Sequence, residues 1–224
     1  MKKRLVLLFG IIFLIISEFS FILATPTQIA TCRNTDCFLT IPRHKIFQSQ
    51  TNPNEIWLIF PGPGTGRYDN FMKTNDGGAT WNTPITIKAY LDYHSSLDGD
   101  SAGNLYLADS YSGGAYFRKI NYPGSSISDL GPEMPLTSAY LPLGVSTMSN
   151  VIAQDTSSIF VFSRTSVNVA GNVRYFHSID GGITFPEEGW VNDTGYENVR
   201  IGSLLIEGMP AVVIWYSDDS SSTG

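Results

Sequence analysis

Asp98, Asp100 and Gly103 stand at the spacing that opens an EF-hand calcium loop, and Asp109 falls at its twelfth position. Ala102 offers no ligand oxygen, Asp109 is not the bidentate Glu, and strand-like runs flank the segment. A hairpin turn is therefore expected over 98–104, with a loosely held Ca²⁺ at Asp98 and Asp100 as the other reading. The three histidines, His44, His94 and His177, are scattered and supply no zinc spacing. No cofactor is expected. Trp190 sits beside Glu187, Glu188 and Gly189 in an expected loop and is the tryptophan best placed to stack on a sugar. Trp57, Trp81 and Trp215 fall in register with apolar runs and are expected in the core. Asn192-Asp193-Thr194 is an N-glycosylation sequon, meaningful only in a eukaryotic secretory pathway. No Ser-His-Asp order, P-loop or dinucleotide fingerprint is present in the sequence.

The N-terminus bounds where such chemistry would occur. Lys2, Lys3 and Arg4 precede an apolar run over 5–16, which Ser17 and Glu18 end. Residues 1–24 read as a signal peptide cleaved after Ala24, or else as an uncleaved anchor; in both readings the remainder is exported. The location expected is secreted, cell-surface or periplasmic. Cys32 and Cys37 lie in the segment 25–41, and in an oxidising compartment they read as a disulfide with a short loop. Thr31 makes a poor lipid-attachment context for Cys32. Removing residues 1–24 takes away three basic groups and Glu18, leaving 11 basic and 19 acidic residues, a balance of −8. No basic cluster remains, which argues against nucleic acid or an anionic membrane as partner.

The elements that must position these residues are repeats. Thr74-Asn75-Asp76-Gly77-Gly78-Ala79-Thr80-Trp81 recurs as Ser178-Ile179-Asp180-Gly181-Gly182-Ile183-Thr184-Phe185. The shared frame is hydroxyl, any, Asp, any, Gly, any, Thr, aromatic. The carboxylate can accept hydrogen bonds from its own turn, as in Asx turns. Gly allows the positive φ of a tight hairpin. Thr begins a return strand, and the aromatic ring is an apolar plug. Asp129 and Gly131 keep the Asp–Gly spacing midway between the two copies and read as a degenerate third copy. Apolar runs beginning at Ile56, Leu105, Ile159 and Val213 are separated by 49, 54 and 54 positions and read as buried inner strands. The period is roughly fifty residues, with four short strands per unit.

This frame resembles the Asp box, or BNR repeat, of sialidase-like β-propellers. The resemblance implies an all-β propeller of four-stranded blades, with each box joining the third and fourth strands, away from the ligand face. Residues 42–224 then hold about three and a half blades: 42–87, 90–135, 144–190, and a fourth from about Arg200. The chain ends inside that fourth blade, so a fragment of a longer propeller is expected. Active members of the family resemble glycoside hydrolases that use a Tyr nucleophile, three Arg that clamp the substrate carboxylate, and an Asp acid/base. Phe38-Leu39-Thr40-Ile41-Pro42 occupies the place of the family's first Arg motif, with Thr40 at the Arg position and Arg43 three positions along. Arg67 and Asp69 map onto the second motif, or are a solvated turn pair after Pro61-Gly62-Pro63-Gly64-Thr65-Gly66. The reading this supports is a non-catalytic module recognising a glycan or an extracellular protein. An exo-sialidase completed by later blades, and a propeller serving assembly, are the alternatives.

Overall fold

The computed structural model describes residues 46–61, 68–89, 95–111, 114–121, 124–136, 146–165, 173–192 and 199–216. The expected signal segment, Cys32 and Cys37, and residues Thr40, Arg43 and Arg67 lie outside them. The described chain is all-β and almost wholly antiparallel meanders. The first sheet runs β1 (Ile46–Gln48), β2 (Ile56–Pro61), β3 (Tyr68–Thr74), β4 (Ile85–Ala89). The second runs β5 (Ser96–Gly99), β6 (Leu105–Tyr111), β7 (Gly114–Ile120), β8 (Met134–Leu136). The third runs β9 (Ser146–Ala153), β10 (Ile159–Thr165), β11 (Val173–Ser178), β12 (Glu187–Asn192). A hairpin of β13 (Val199–Ile206) and β14 (Met209–Tyr216) follows. The sheets lie in chain order at the expected boundaries, and the described residues form no closed ring.

Each sheet interface has its own core, and this explains the continuous apolar runs. In β6, Leu105 and Leu107 pack with Trp57, Ile59 and Phe71 of the first sheet. Tyr106 and Ala108, pointing the other way, pack with Val151, Ile159 and Val161 of the third. A strand buried on both faces cannot alternate apolar with polar residues. In β10, likewise, Ile159 and Val161 face the second sheet, while Phe162 packs with Ile201 of the hairpin. Each such side chain contributes about 1.5–3 kcal/mol by leaving water. The run in β14 departs from the expected buried strand: Val212 and Ile214 pack inward, but Val213 is 49% exposed, because among the described residues only one face of the hairpin is covered.

The two boxes join β3 to β4 and β11 to β12, as expected, and have nearly the same geometry. Thr80 donates its N–H to Asp76 Oδ1 at 2.8 Å and its O–H to Oδ2 at 2.6 Å. Thr184 does the same to Asp180, at 2.9 and 2.6 Å. The leading hydroxyls of Thr74 and Ser178 donate to the same carboxylates at 2.7 Å. They also accept the N–H of Gly78 and Gly182, at 3.0 and 2.8 Å. Each box also docks on the turn between the first two strands of its sheet, through Gly77 N–H to Asn54 O (2.9 Å) and Gly181 N–H to Ser157 O (2.8 Å). Gly182 is obligatory: its φ is +85°, and a Cβ there would lie 2.5 Å from the Phe117 ring.

Asp129 occupies the same topological place in the second sheet but is not a third box. It ends a 3₁₀ turn (Ile127–Asp129), and its Oδ2 accepts the N–H groups of Ser125 and Ser126 behind it, at 2.8 and 2.9 Å. Gly131 donates its N–H back to Lys119 O in β7 at 2.8 Å. Ile127 and Glu133 stand where the boxes have a hydroxyl and Thr, so no side chain draws the carboxylate forward. Trp81 also departs from expectation. It is half-buried over its own box, with Nε1 donating to Gly78 O at 3.1 Å, whereas Phe185 meets Phe117 of the preceding sheet edge-on at 4.9 Å.

Hydrogen bonds from Thr80, followed by those from Thr74, hold the Asp76 carboxyl at about 2, and Thr184 and Ser178 hold Asp180 at about 2, against the ordinary 3.8. A depressed folded-state pKa contributes stability above the ordinary value, and that stability is lost as pH falls through the folded value. Asp180→Asn is therefore expected to lower Tm by about 2–4 °C at neutral pH, with the deficit shrinking between pH 4 and pH 2. Thermal melts by circular dichroism across that range test this. A deficit that does not change with pH would show that the carboxylate charge does not hold the turn.

Candidate functional site

At the end away from the boxes, the buried strands change character. Along β6, Leu105-Tyr106-Leu107-Ala108 gives way to Asp109-Ser110, and along β10, Ile159-Phe160-Val161-Phe162 gives way to Ser163. The neighbouring first strands match. Ser96 stands beyond Leu97 in β5, with Ser95 just before the strand, and Ser149 and Asn150 precede Val151 in β9. These hydroxyls are buried: Ser95 is 1% exposed, and Ser96, Ser110, Ser149 and Ser163 are 0% exposed.

They form one hydrogen-bonded row across three sheets. The Ser95 hydroxyl donates to Asp69 Oδ2 of β3 in a short contact and lies 3.4 Å from Asp109 Oδ1. The N–H of Ser110 donates to Asp109 Oδ1 at 2.7 Å. Ser110 Oγ and Ser149 Oγ are 2.6 Å apart, and Ser149 donates to Ser163 Oγ at 3.3 Å. Ser96 Oγ adds a tie between sheets, accepting the N–H of Val151 at 2.8 Å. A hydroxyl has one proton, so Ser95 serves one of the two carboxylates at a time. Asp69, 7% exposed, is a buried strand residue and not the solvated turn residue that the sequence also allowed. Asp109 is the part-exposed member, and beside it a void of about 10 Å³ bordered by Tyr116, Arg118 and Glu133 has room for a single water.

The row repeats with the fold. Ser95 and Ser149 are 54 positions apart, as are Asp109 and Ser163, matching the 54 that separate the starts of β6 and β10. Ser149 and Ser163 are direct cross-strand partners, and Ser95–Asp109 continues the β5–β6 register in the same way. This repeat spacing is the signal of the row in the sequence.

The other expected sites are placed as follows. Trp190 lies in the outer strand β12, not in a loop, opposite Arg174 in the register. Pairing with β11 fixes it there, and the guanidinium of the buried Arg174 sits 4.3 Å above its ring, leaving Trp190 43% exposed. Asp98 lies in β5 and Asp100 in the turn that joins it to β6. Asp98 Oδ2 accepts the N–H of Ala153 at 2.9 Å. Asp100 accepts the N–H groups of Ala102 and Asn104 at 2.9 and 3.0 Å and the Tyr106 hydroxyl at 2.7 Å. That hydroxyl's pKa is pushed well above the ordinary value, by burial first and then by Asp100. Among the described residues no group of three or more His, Cys, Asp or Glu could hold a metal. Beyond the first box, Asn82, Thr83, Pro84, Ile85, Thr86 and Ser125 line an open groove of about 580 Å³.

No known family's sequence profile matches the chain, and no curated protein matches it in sequence. Solved structures do resemble it. One is an ulvan lyase of the polysaccharide lyase family PL25, bound to -[GlcA(1-4)Rha3S]-, with 11% identity and a TM-score of 0.38. The match covers 76% of this chain, which spans 61% of that lyase chain. At this similarity it bears on neither activity nor ligand.

Removing one member of the row takes a partner from its neighbours inside a buried environment. Ser149→Ala is expected to cost about 1–3 kcal/mol, and Ser149→Ala with Ser163→Ala less than the sum of the two. Urea unfolding of the four proteins measures the coupling, and strict additivity would show that the row is not one network.

Proposed function

We propose that this chain is built as a sialidase-like Asp-box β-propeller, exported, that recognises a glycan or an extracellular protein without catalysing its turnover. The observation that carries this reading is the part-exposed Asp109 at the end opposite the boxes, held in place by the buried hydroxyl row through Ser95 and the N–H of Ser110. Sugars are polyols, and a carboxylate fixed by buried partners can accept hydrogen bonds from their hydroxyls. Two observations support a non-catalytic role. Thr40 stands where the family's first carboxylate-clamping Arg would be, and Asp69 is buried and hydrogen-bonded to Ser95. The lack of a basic cluster in the sequence argues against nucleic acid as the partner.

One observation favours each alternative. Two carboxylates, Asp69 and Asp109, face a single hydroxyl, which is the raw material of a glycosidase. The exposed Leu204, Leu205, Ile206, Met209 and Val213 of the hairpin are what an assembly role would use.

A glycan array followed by calorimetry separates the three. The expected outcome is binding that Asp109→Asn weakens by about tenfold, the equivalent of one lost charge-assisted hydrogen bond. A fluorogenic sialoside should be left intact. Hydrolysis that Asp69→Asn abolishes would overturn the non-catalytic reading in favour of a glycosidase. Absence of glycan binding, together with a molecular mass that rises with concentration and reverts in Leu205→Lys, would favour assembly.

A further inference from the structure

Ser158, His177 and Glu187 come from three neighbouring segments of the third sheet, at the box end. His177 of β11 is the register partner of Phe160 in β10 and of Glu187 in β12. Ser158 immediately precedes β10. The Ser158 hydroxyl lies 3.0 Å from His177 Nε2, and His177 Nδ1 lies 2.8 Å from Glu187 Oε2. A carboxylate only accepts, so Nδ1 carries the proton and donates it to Glu187. That leaves the Nε2 lone pair facing the hydroxyl. The Phe160 ring stacks on the imidazole at 4.0 Å and 7°, which fixes its plane. Gln154 Oε1, at 3.1 Å, is the competing acceptor for the Ser158 proton. Asp155 is the other charged group whose field reaches His177.

We propose that Ser158 is a nucleophile, with His177 as its general base and Glu187 as the positioning residue, and that the site acts on small carboxylic esters presented at the protein surface. Serine, the far imidazole nitrogen and a carboxylate on the near one are the arrangement that activates a hydroxyl, whatever the fold or chain order. In the first step Ser158 Oγ bonds to the ester carbonyl carbon and its proton passes to His177 Nε2. The alcohol then leaves, carrying that proton. Water attacks the acyl-serine, its proton passing to His177 and then to Ser158 Oγ as the carboxylic acid is released. Ser158 and His177 are part-buried and Glu187 is exposed, so a small acyl group has access.

Magnitudes choose the readout. A positioned base is worth about 10²–10⁴ in rate, and an oxyanion donor about 10²–10³. The N–H groups of Ser157 and Ser158 are held by Asp155 Oδ1, at 2.7 and 2.8 Å, so they give an oxyanion little help. Turnover is accordingly slow, and a covalent adduct is the sensitive measurement. In a fluorophosphonate probe, Ser158 Oγ bonds to phosphorus, the P–F bond breaks, fluoride leaves and His177 takes the proton.

The full chain is treated with this probe and the modified residue is located by mass spectrometry. The expected result is an adduct on Ser158 that the heat-unfolded chain does not form. His177→Gln should slow it at least tenfold. Glu187→Gln should lower the limiting rate of labelling while leaving the half-saturating probe concentration unchanged, and Glu187→Asp should restore part of that rate. Thermal melts report folding, and the exposed Glu187 position keeps the test informative if His177→Gln does not fold. No adduct on Ser158 in the folded wild type, or labelling at the wild-type rate in a folded Glu187→Gln, would overturn the proposal.

Discussion

The carboxylate of Asp180 takes up the N–H and O–H of Thr184 and the O–H of Ser178, and this holds more than its own turn. Once the turn is closed, Gly182 lies against the Phe117 ring of the preceding sheet, and Phe185 meets that ring edge-on. Antiparallel sheets stacked face to face can slide, since apolar contact is non-directional. A turn that must seat a glycine under a neighbour's aromatic ring fixes the depth and angle of the stack. The first box shows the same dependence from the other side. Among the described residues it has no preceding sheet, so Trp81 folds back over Gly78 and stays half-buried. It ties the first sheet forward instead, through Asn82 Nδ2 to Ser125 O at 3.2 Å.

With the sheets registered at one end, the other end can carry polar groups. Buried hydroxyls contribute less than apolar side chains of the same volume and are costly when they lose a partner. A row of Ser95, Ser110, Ser149 and Ser163 is therefore a poor choice for stability alone. The three apolar cores supply what the row gives up. A buried polar arrangement sustained by a rigid scaffold is where a folded protein departs from the sequence rules of its own elements.

Much of the architecture was legible because it is written in local patterns. The two eight-residue turns and three four-strand units appear close to their expected positions, and the runs from Ile56, Leu105 and Ile159 each open a strand. The failures came where the outcome depended on a neighbour. Asp129 has the spacing of a box but lacks the two hydroxyls that would turn its carboxylate forward. Its polar neighbours point to a loop at Trp190, whereas pairing with β11 and the Arg174 guanidinium decide its place. β14 has the composition of a buried strand, yet no composition reveals whether a second sheet covers it. The hydroxyl row was visible in principle, since Ser95–Ser149 and Asp109–Ser163 keep the repeat. A serine carries no hydrophobic signal, however, and apolar periodicity does not register it.

The acidity of the chain also takes its meaning from the fold. Asp76, Asp100, Asp155 and Asp180 accept backbone N–H groups that follow them in their own turns, and Asp129 accepts those just before it. Their charge follows from how turns are closed at the box end and is stabilised there by those donors. It is thus a weak guide to a partner, even though the net charge is strongly negative. Asp69 and Asp109 differ in kind, because hydroxyls from Ser95 on a separate segment approach both. Side chains that depend on other strands for their partners are those a bound ligand can re-pair at little local strain. Glu187 belongs with them: its partner is an imidazole on the adjacent strand, and that imidazole faces a serine. Counting charges treats all these carboxylates alike, whereas sorting them by the source of their donors separates turn closure from sites open to chemistry.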